Sequence, residues 1–144
     1  MSLALDAARE AATAGEVPIG AVVLGPGGDV IGRGRNTREQ VPDPTGHAEV
    51  LAIRAACAAR GDRILDGCTL VVTLEPCVMC AGVMLAARVP TVIFGAWDAK
   101  AGAAGSVYDL LRDGRLPHPV PQVIAGVRQA ECATLLEEFF ARMR

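Results

Sequence analysis

Any fold this chain adopts has to bring two short segments together, His47-Ala48-Glu49 and Pro76-Cys77-Val78-Met79-Cys80. An imidazole and two thiols are good zinc ligands. Three protein ligands leave one tetrahedral position for water, the arrangement of a catalytic rather than a structural zinc. The metal-ligand set expected is therefore His47, Cys77 and Cys80, with Zn²⁺ as cofactor. Glu49 is the carboxylate in the motif that is free to move protons. Two thiolates and a neutral imidazole bring the formal charge of the site to zero, so water is activated less strongly than by three histidines and a nearby base matters more. The chemistry that suits this set is attack of water on an amidine-type carbon with loss of ammonia.

Each half of the pattern alone is weak. A Cys-x-x-Cys pair at a strand-helix junction also fits a redox pair or half of a structural zinc site. His-x-Glu is often an ordinary helix start. It is their coincidence, each opening an expected helix, that favours the metal.

The rest of the chain reads as scaffold. A helix is expected over Ser2 to Ala14, stopped by Gly15, then a hairpin of strands Pro18 to Leu24 and Val30 to Arg35 around Gly25-Pro26-Gly27-Gly28-Asp29. Pro42 and Pro44 keep Asn36 to Gly46 irregular, and Thr45 is placed to cap a helix from about His47 to Arg60, ended by Gly61. Cys68 to Leu74 is a short apolar run, as in a strand buried on both faces. Pro76 is placed as a first helical residue for Cys77 to Arg88. Thr91 to Gly95 is the fourth strand, Ser106 to Arg112 a short helix capped by Ser106, and Val120 to Ala125 the fifth strand. The last helix, Gln129 to Met143, has an apolar stripe of Cys132, Leu135, Leu136, Phe139, Phe140 and Met143. Alternating helices and buried strands give an α/β chain, a three-layer helix-sheet-helix sandwich with a five-stranded mixed sheet. The fourth and fifth strands are expected to be parallel, because a helix between them rules out a tight hairpin.

One domain, residues 1–144, is the expected organisation, since 144 residues with 51% hydrophobic content form one sizeable core. The formal net charge of −2 gives no general basic footprint, which argues against wholesale coating of nucleic acid and leaves room for a pocket for one nucleotide. The five cysteines are odd in number and unlike a secreted disulfide framework. Cys57, Cys68 and Cys132 are expected to be core thiols. Asp6, Arg9 and Glu10 interrupt any signal-peptide core, and no apolar run reaches membrane-spanning length, so a cytoplasmic protein with no membrane partner is expected.

His-Ala-Glu followed by Pro-Cys-Val-Met-Cys resembles the signature of the zinc-dependent nucleoside and nucleobase deaminases. Gly15-Glu16-Val17-Pro18-Ile19-Gly20-Ala21-Val22, Asp43-Pro44-Thr45, Thr73 to Gly82, Lys100 to Ser106 and Glu131-Cys132-Ala133 through Phe139-Phe140 resemble the tRNA-specific adenosine deaminase branch in particular. The resemblance implies a cytidine-deaminase-like fold and a homodimeric hydrolase that converts adenosine to inosine at the wobble position of a tRNA anticodon loop. It also implies that Asn36 hydrogen-bonds the target nucleoside and that backbone amides near Ala48 and Cys77 lie close to the base. Asp98 and Lys100 are further substrate-binding candidates, toward ribose and phosphate, or else solvated loop charges. Glu75 is placed to accept backbone hydrogen bonds near the cysteine loop. The sequence departs from the branch at Gly46, at Trp97 and at Leu116-Pro117-His118. Trp97 suits a stacking surface, a pocket wall or a dimer contact, and His118 a loop or pocket-wall residue. The alternative function is deamination of a free nucleobase or nucleoside of guanine, cytosine or adenine type.

Overall fold

The computed structural model describes residues 1–144. Its elements are α1 (Ser2–Thr13), β1 (Gly20–Leu24), β2 (Val30–Arg35), α2 (Ala48–Arg60), β3 (Thr69–Leu74), α3 (Val78–Ala86), β4 (Thr91–Ala96), β5 (Gln122–Ile124) and α4 (Gln129–Arg142). The five strands form one sheet in the order β2-β1-β3-β4-β5. β1 runs antiparallel to β2 and β3, while β3, β4 and β5 are parallel.

Alternation along the strands builds the layers. Ala21, Val23, Leu70, Val72, Val92 and Phe94 face α2 and α3 in the main core. Val22 and Val71 face α1 on the opposite side, and Ala96 meets Leu5 and Cys132 there, which seats α4 beside α1. β3 is thus covered on both faces, the reason its sequence is nearly unbroken apolar.

Close packing at α2 is built from small residues. Ala48, Ala52 and Ala56 form a stripe at four-residue spacing, and it lies on Gly32 and Gly34 of β2. A Cβ on Gly34 would stand 2.7 Å from the backbone nitrogen of Ala52, and one on Gly32 would stand 2.8 Å from that of Ala56. Helix and strand approach backbone to backbone, and this fixes the height of α2 above the sheet. Gly61, left-handed at φ 69°, ends the helix.

Several expectations are corrected. Thr45 does not cap α2: His47 holds the cap position, and the Thr45 hydroxyl donates instead to Asp43. Pro76 lies outside α3, whose cap is Cys77. Residues 106–112 form turns rather than a helix, because the Ser106 hydroxyl and amide both bond to Glu75 and leave no cap for a helix start. The parallel β4–β5 pairing is present, but the connection that permits it is a long turn-rich loop. Finally, Cys132 is the only buried residue of α4, and Phe140 is half exposed, with its ring edge-on to Phe139. Leu135, Leu136 and Phe139 of that apolar stripe are half-buried, and Met143 is exposed. Cys57 is half-buried, whereas Cys68 and Cys132 are core thiols as expected. No helix is long and apolar enough to cross a membrane.

Candidate active site

The parallel strands β3 and β4 end at the same edge of the sheet, and the chain turns there from Leu74 through Glu75 and Pro76 into α3. Crevices at the carboxyl ends of parallel strands are the usual ligand sites of such sheets. Cys77 caps α3, where unpaired backbone amides favour a thiolate, and Cys80 follows one turn later on the same side. From the other direction α2 brings in His47 at its cap and Glu49 in its first turn.

The donor atoms of His47, Cys77 and Cys80 all lie within 4.8 Å of one another. His47 Nδ1 is 3.4 Å from Cys80 Sγ and 3.7 Å from Cys77 Sγ. A tetrahedral zinc with ordinary Zn–S and Zn–N bonds needs a separation of about 3.6 Å. The three residues therefore fit zinc without rearrangement. Cys80 is buried, while His47 and Cys77 are half-buried and leave one side of the cluster open to the cavity.

The hydrogen bond from Cys80 pulls the Cys77 thiol down to about 4, and His47 adds to the effect. Cys80 shifts the opposite way, because it keeps the proton it shares with Cys77. His47 is raised, chiefly by its bond to Cys77. Glu49 is buried, and burial pushes its carboxyl up to about 7. A carboxyl at that value both takes and returns a proton near neutral pH.

The cluster opens into a cavity of about 200 Å³. Asn36, His47, Glu49, Cys77 and Asp98 line it, together with Val17, Ile19, Arg38, Leu74, Glu75 and Ala101. Asn36 is buried, with its Oδ1 accepting from the Arg38 amide at 3.2 Å and its Nδ2 donating to the Val17 carbonyl at 3.4 Å. Asp98 stands at the mouth, and its Oδ1 accepts from the amides of Lys100 and Ala101. Ala48 is buried in the core behind the cavity. Lys100 lies outside the wall, beside Phe140 and Arg144. Trp97 is not a wall residue: its ring meets Phe94 edge-on at 5.0 Å and covers Gly105. His118 lies away from the cavity in the loop before β5.

Sequence reasoning missed Arg38 and the apolar wall of Val17, Ile19 and Leu74. Arg38 had a signal, since it lies two residues beyond Asn36 in the same loop. Val17 and Ile19 lie in the segment Gly15 to Val22, where the resemblance points to no individual side chain.

This fold and this three-donor site with a buried carboxylate define the zinc deaminase class. The family described as cytidine and deoxycytidylate deaminase zinc-binding region matches residues 1–96. Over all 144 residues the chain is 44% identical to the tRNA-specific adenosine deaminase of Bacillus subtilis, covering 88% of that protein. It is 55% identical to a segment of the tRNA(Ile)-lysidine synthase of Deinococcus deserti, spanning 27% of that longer protein. Among solved structures, one from studies of A-to-I editing by tRNA:A34 deaminases superposes with a TM-score of 0.89 at 43% identity, covering 94% of this chain and 97% of that one. A guanine deaminase from Nitrosomonas europaea superposes at 0.83 with 26% identity, over 97% of this chain and 82% of that one. The chain belongs to the tRNA-specific adenosine deaminase family, within the cytidine and deoxycytidylate deaminase zinc-binding superfamily.

Proposed function

We propose that this chain is a zinc-dependent hydrolase that converts adenosine to inosine at the wobble position of a tRNA anticodon loop, releasing ammonia. The observation that carries the reading is the buried Glu49 carboxyl set against the His47, Cys77 and Cys80 cluster at the floor of a cavity sized for one nucleobase. A bound zinc supplies a water activated for attack. Glu49 takes the two protons of that water in turn on its carboxylate, and returns one to the ring nitrogen and one to the departing exocyclic amine. Asn36 reaches the nucleoside from the wall, and Ala48 and Cys77 contribute backbone amides at the helix starts. A cavity of about 200 Å³ admits one base and not a base pair, so the target adenosine enters turned out of its stack. Asp98 at the mouth stands where the ribose enters. Lys100, farther out, faces the path of the anticodon backbone.

The partner class is a tRNA anticodon loop, and the place of action the cytoplasm. A homodimer is supported by the apolar side chains Val78, Val107 and Tyr108, which lie exposed on and near the N-terminus of α3. The fit to a guanine deaminase and the net charge of −2 favour a second reading, a deaminase of a free base.

Ammonia release from zinc-loaded protein separates the two. The substrates are an anticodon stem-loop with adenosine at the wobble position and a panel of free adenine, guanine, cytosine and their nucleosides. Release from the stem-loop, with inosine at the wobble base, is expected. Release from a free base alone overturns the substrate and keeps the zinc chemistry. Glu49→Ala is expected to abolish release while retaining zinc, and unchanged activity would remove Glu49 from the proton path.

A further inference from the structure

Two loops without regular structure frame the cavity, and each is tied down by one buried carboxylate. Residues 37–47 supply Arg38 and lead to His47, while residues 97–106 supply Asp98 and Ala101. Glu16 reaches the first loop: its Oε1 accepts from the amides of Glu39, at 3.0 Å, and Gln40. Glu75 reaches the second. Its Oε1 accepts from the amides of Ala104 at 3.0 Å and Ser106 at 2.9 Å, and its Oε2 from the Asp98 amide at 2.8 Å and the Ser106 hydroxyl. A methyl group at Gly102 would overlap the Glu75 carboxylate, so the loop wraps it at backbone distance.

Both carboxylates are 1% exposed, and neither belongs to any of the six ion pairs of the chain. A buried carboxylate without a counter-ion is costly. What it offers in return is geometric, since a single acceptor-only group gathers several N–H donors around one point. We propose that Glu16 and Glu75 are a pair of positioning residues, holding the two loops at the spacing that lets them grip the substrate on either side of the cavity mouth. The proposal rests on the deaminase reading above.

The two clamps differ in a way that makes the proposal sharp. All four donors of the Glu75 clamp point at its two oxygens, so an amide NH2 in place of either oxygen meets a donor. Glu16 uses one oxygen only, and its Oε2 is buried with no hydrogen-bond partner. A glutamine there keeps the working oxygen and places its NH2 where no donor opposes it.

The test combines stem-loop kinetics, zinc content and amide hydrogen exchange in E16A, E16Q, E75A and E75Q. E16A and E75A are each expected to raise KM about tenfold, to move kcat less than about threefold and to keep their zinc. Exchange is expected to speed at residues 39 and 40 in E16A alone, and at residues 98, 104 and 106 in E75A alone. E16Q keeps wild-type KM and protection, and E75Q behaves as E75A. A uniform rise in exchange across the chain, a fall in kcat with KM unchanged, or an E75Q indistinguishable from wild type would overturn the proposal. Should E75A not fold, S106A removes one donor from the same clamp and is expected to loosen the same amides. If the wild type leaves the stem-loop untouched, the substrate reading has failed, and the exchange contrast still decides the clamps.

Discussion

Gly34→Ala tests how the metal site is held at its working height. The added methyl group would overlap the Ala48 carbonyl oxygen and lie 2.7 Å from the backbone nitrogen of Ala52 and 3.0 Å from the Leu51 Cβ, whereas ordinary contact begins near 3.4 Å. Backbone cannot rotate away as a side chain tip does, so α2 has to retreat from the sheet by at least roughly 0.7 Å, several times the tolerance of about 0.2 Å on a metal-ligand distance. His47 and Glu49 move with α2, while Cys77 and Cys80 stay on α3. Overpacking of this kind costs about 1–3 kcal/mol. Replacing a strand glycine returns about 0.5–1 kcal/mol. The net loss is then up to about 2.5 kcal/mol, or up to roughly 8 °C in Tm for a chain of this size. Misplaced support of a ligand weakens zinc by about 10–100-fold. Competition against a chelating dye reads the affinity, and melts with and without chelator read the stability. Val23→Ala is the control. It empties the same core face at a cost on the order of 2 kcal/mol without pushing α2, so it lowers Tm and leaves zinc affinity alone. A Gly34→Ala protein with wild-type zinc affinity and Tm would refute the argument that α2 is seated on this glycine.

Two further predictions concern the loop that leads into α2. Arg38 lines the cavity mouth, and its one ion pair is an exposed contact of 3.6 Å to the neighbouring Glu39, weak enough to give way to a phosphate. Arg38→Ala is expected to weaken stem-loop binding and to lower the slope of log K against log salt by about 1, read by fluorescence anisotropy; an unchanged slope would place Arg38 off the RNA path. Asp43 accepts from the Thr45 hydroxyl at 2.8 Å and the Thr45 amide at 2.9 Å, and these bonds hold its carboxyl below the usual carboxylate range. A carboxyl lowered by folding contributes stability above its unfolded value and loses it as pH falls through its folded value. The Tm difference between wild type and Asp43→Asn should therefore shrink toward zero as pH falls below about 4, and a difference constant with pH would contradict this assignment.

The metal centre was legible in the sequence because zinc chemistry admits few residue types and the ligands gather at two helix starts. His47 and Cys77 each cap the helix they begin, so their directions follow from helix geometry once the helices are placed. The core of the sheet was legible for a similar reason: β3 has to be apolar on both faces. The short helix at residues 106–112 failed for a physical cause that no local pattern contains. Ser106 is a good cap in isolation, but Glu75, distant in sequence, claims both its hydroxyl and its amide. Local propensity gave way to a buried charge that needed donors.

The same cause explains why the walls of the cavity were harder to read than its floor. Metal ligands are recognised by element chemistry, whereas Asn36 and Asp98 are recognised only through the backbone they organise. Asn36 is bonded to Val17 and Arg38, and Asp98 to Lys100 and Ala101, so both shape loops as well as facing the cavity. Lys100 shares the Asp98 loop and is a substrate-binding candidate alongside it, yet the turn that Asp98 caps carries Lys100 out toward the end of α4. A spacing along the sequence cannot separate the two, because the direction of a loop side chain depends on what anchors the loop from beneath. Here that anchor is Glu75, which directly follows β3 and stands two residues before Cys77. The site is therefore better described as one metal cluster at the ends of β3 and α2 with two anchored loops above it than as a set of residues in a motif. Specificity among deaminases of this fold is then expected to be determined by those loops, while the cluster beneath them stays the same.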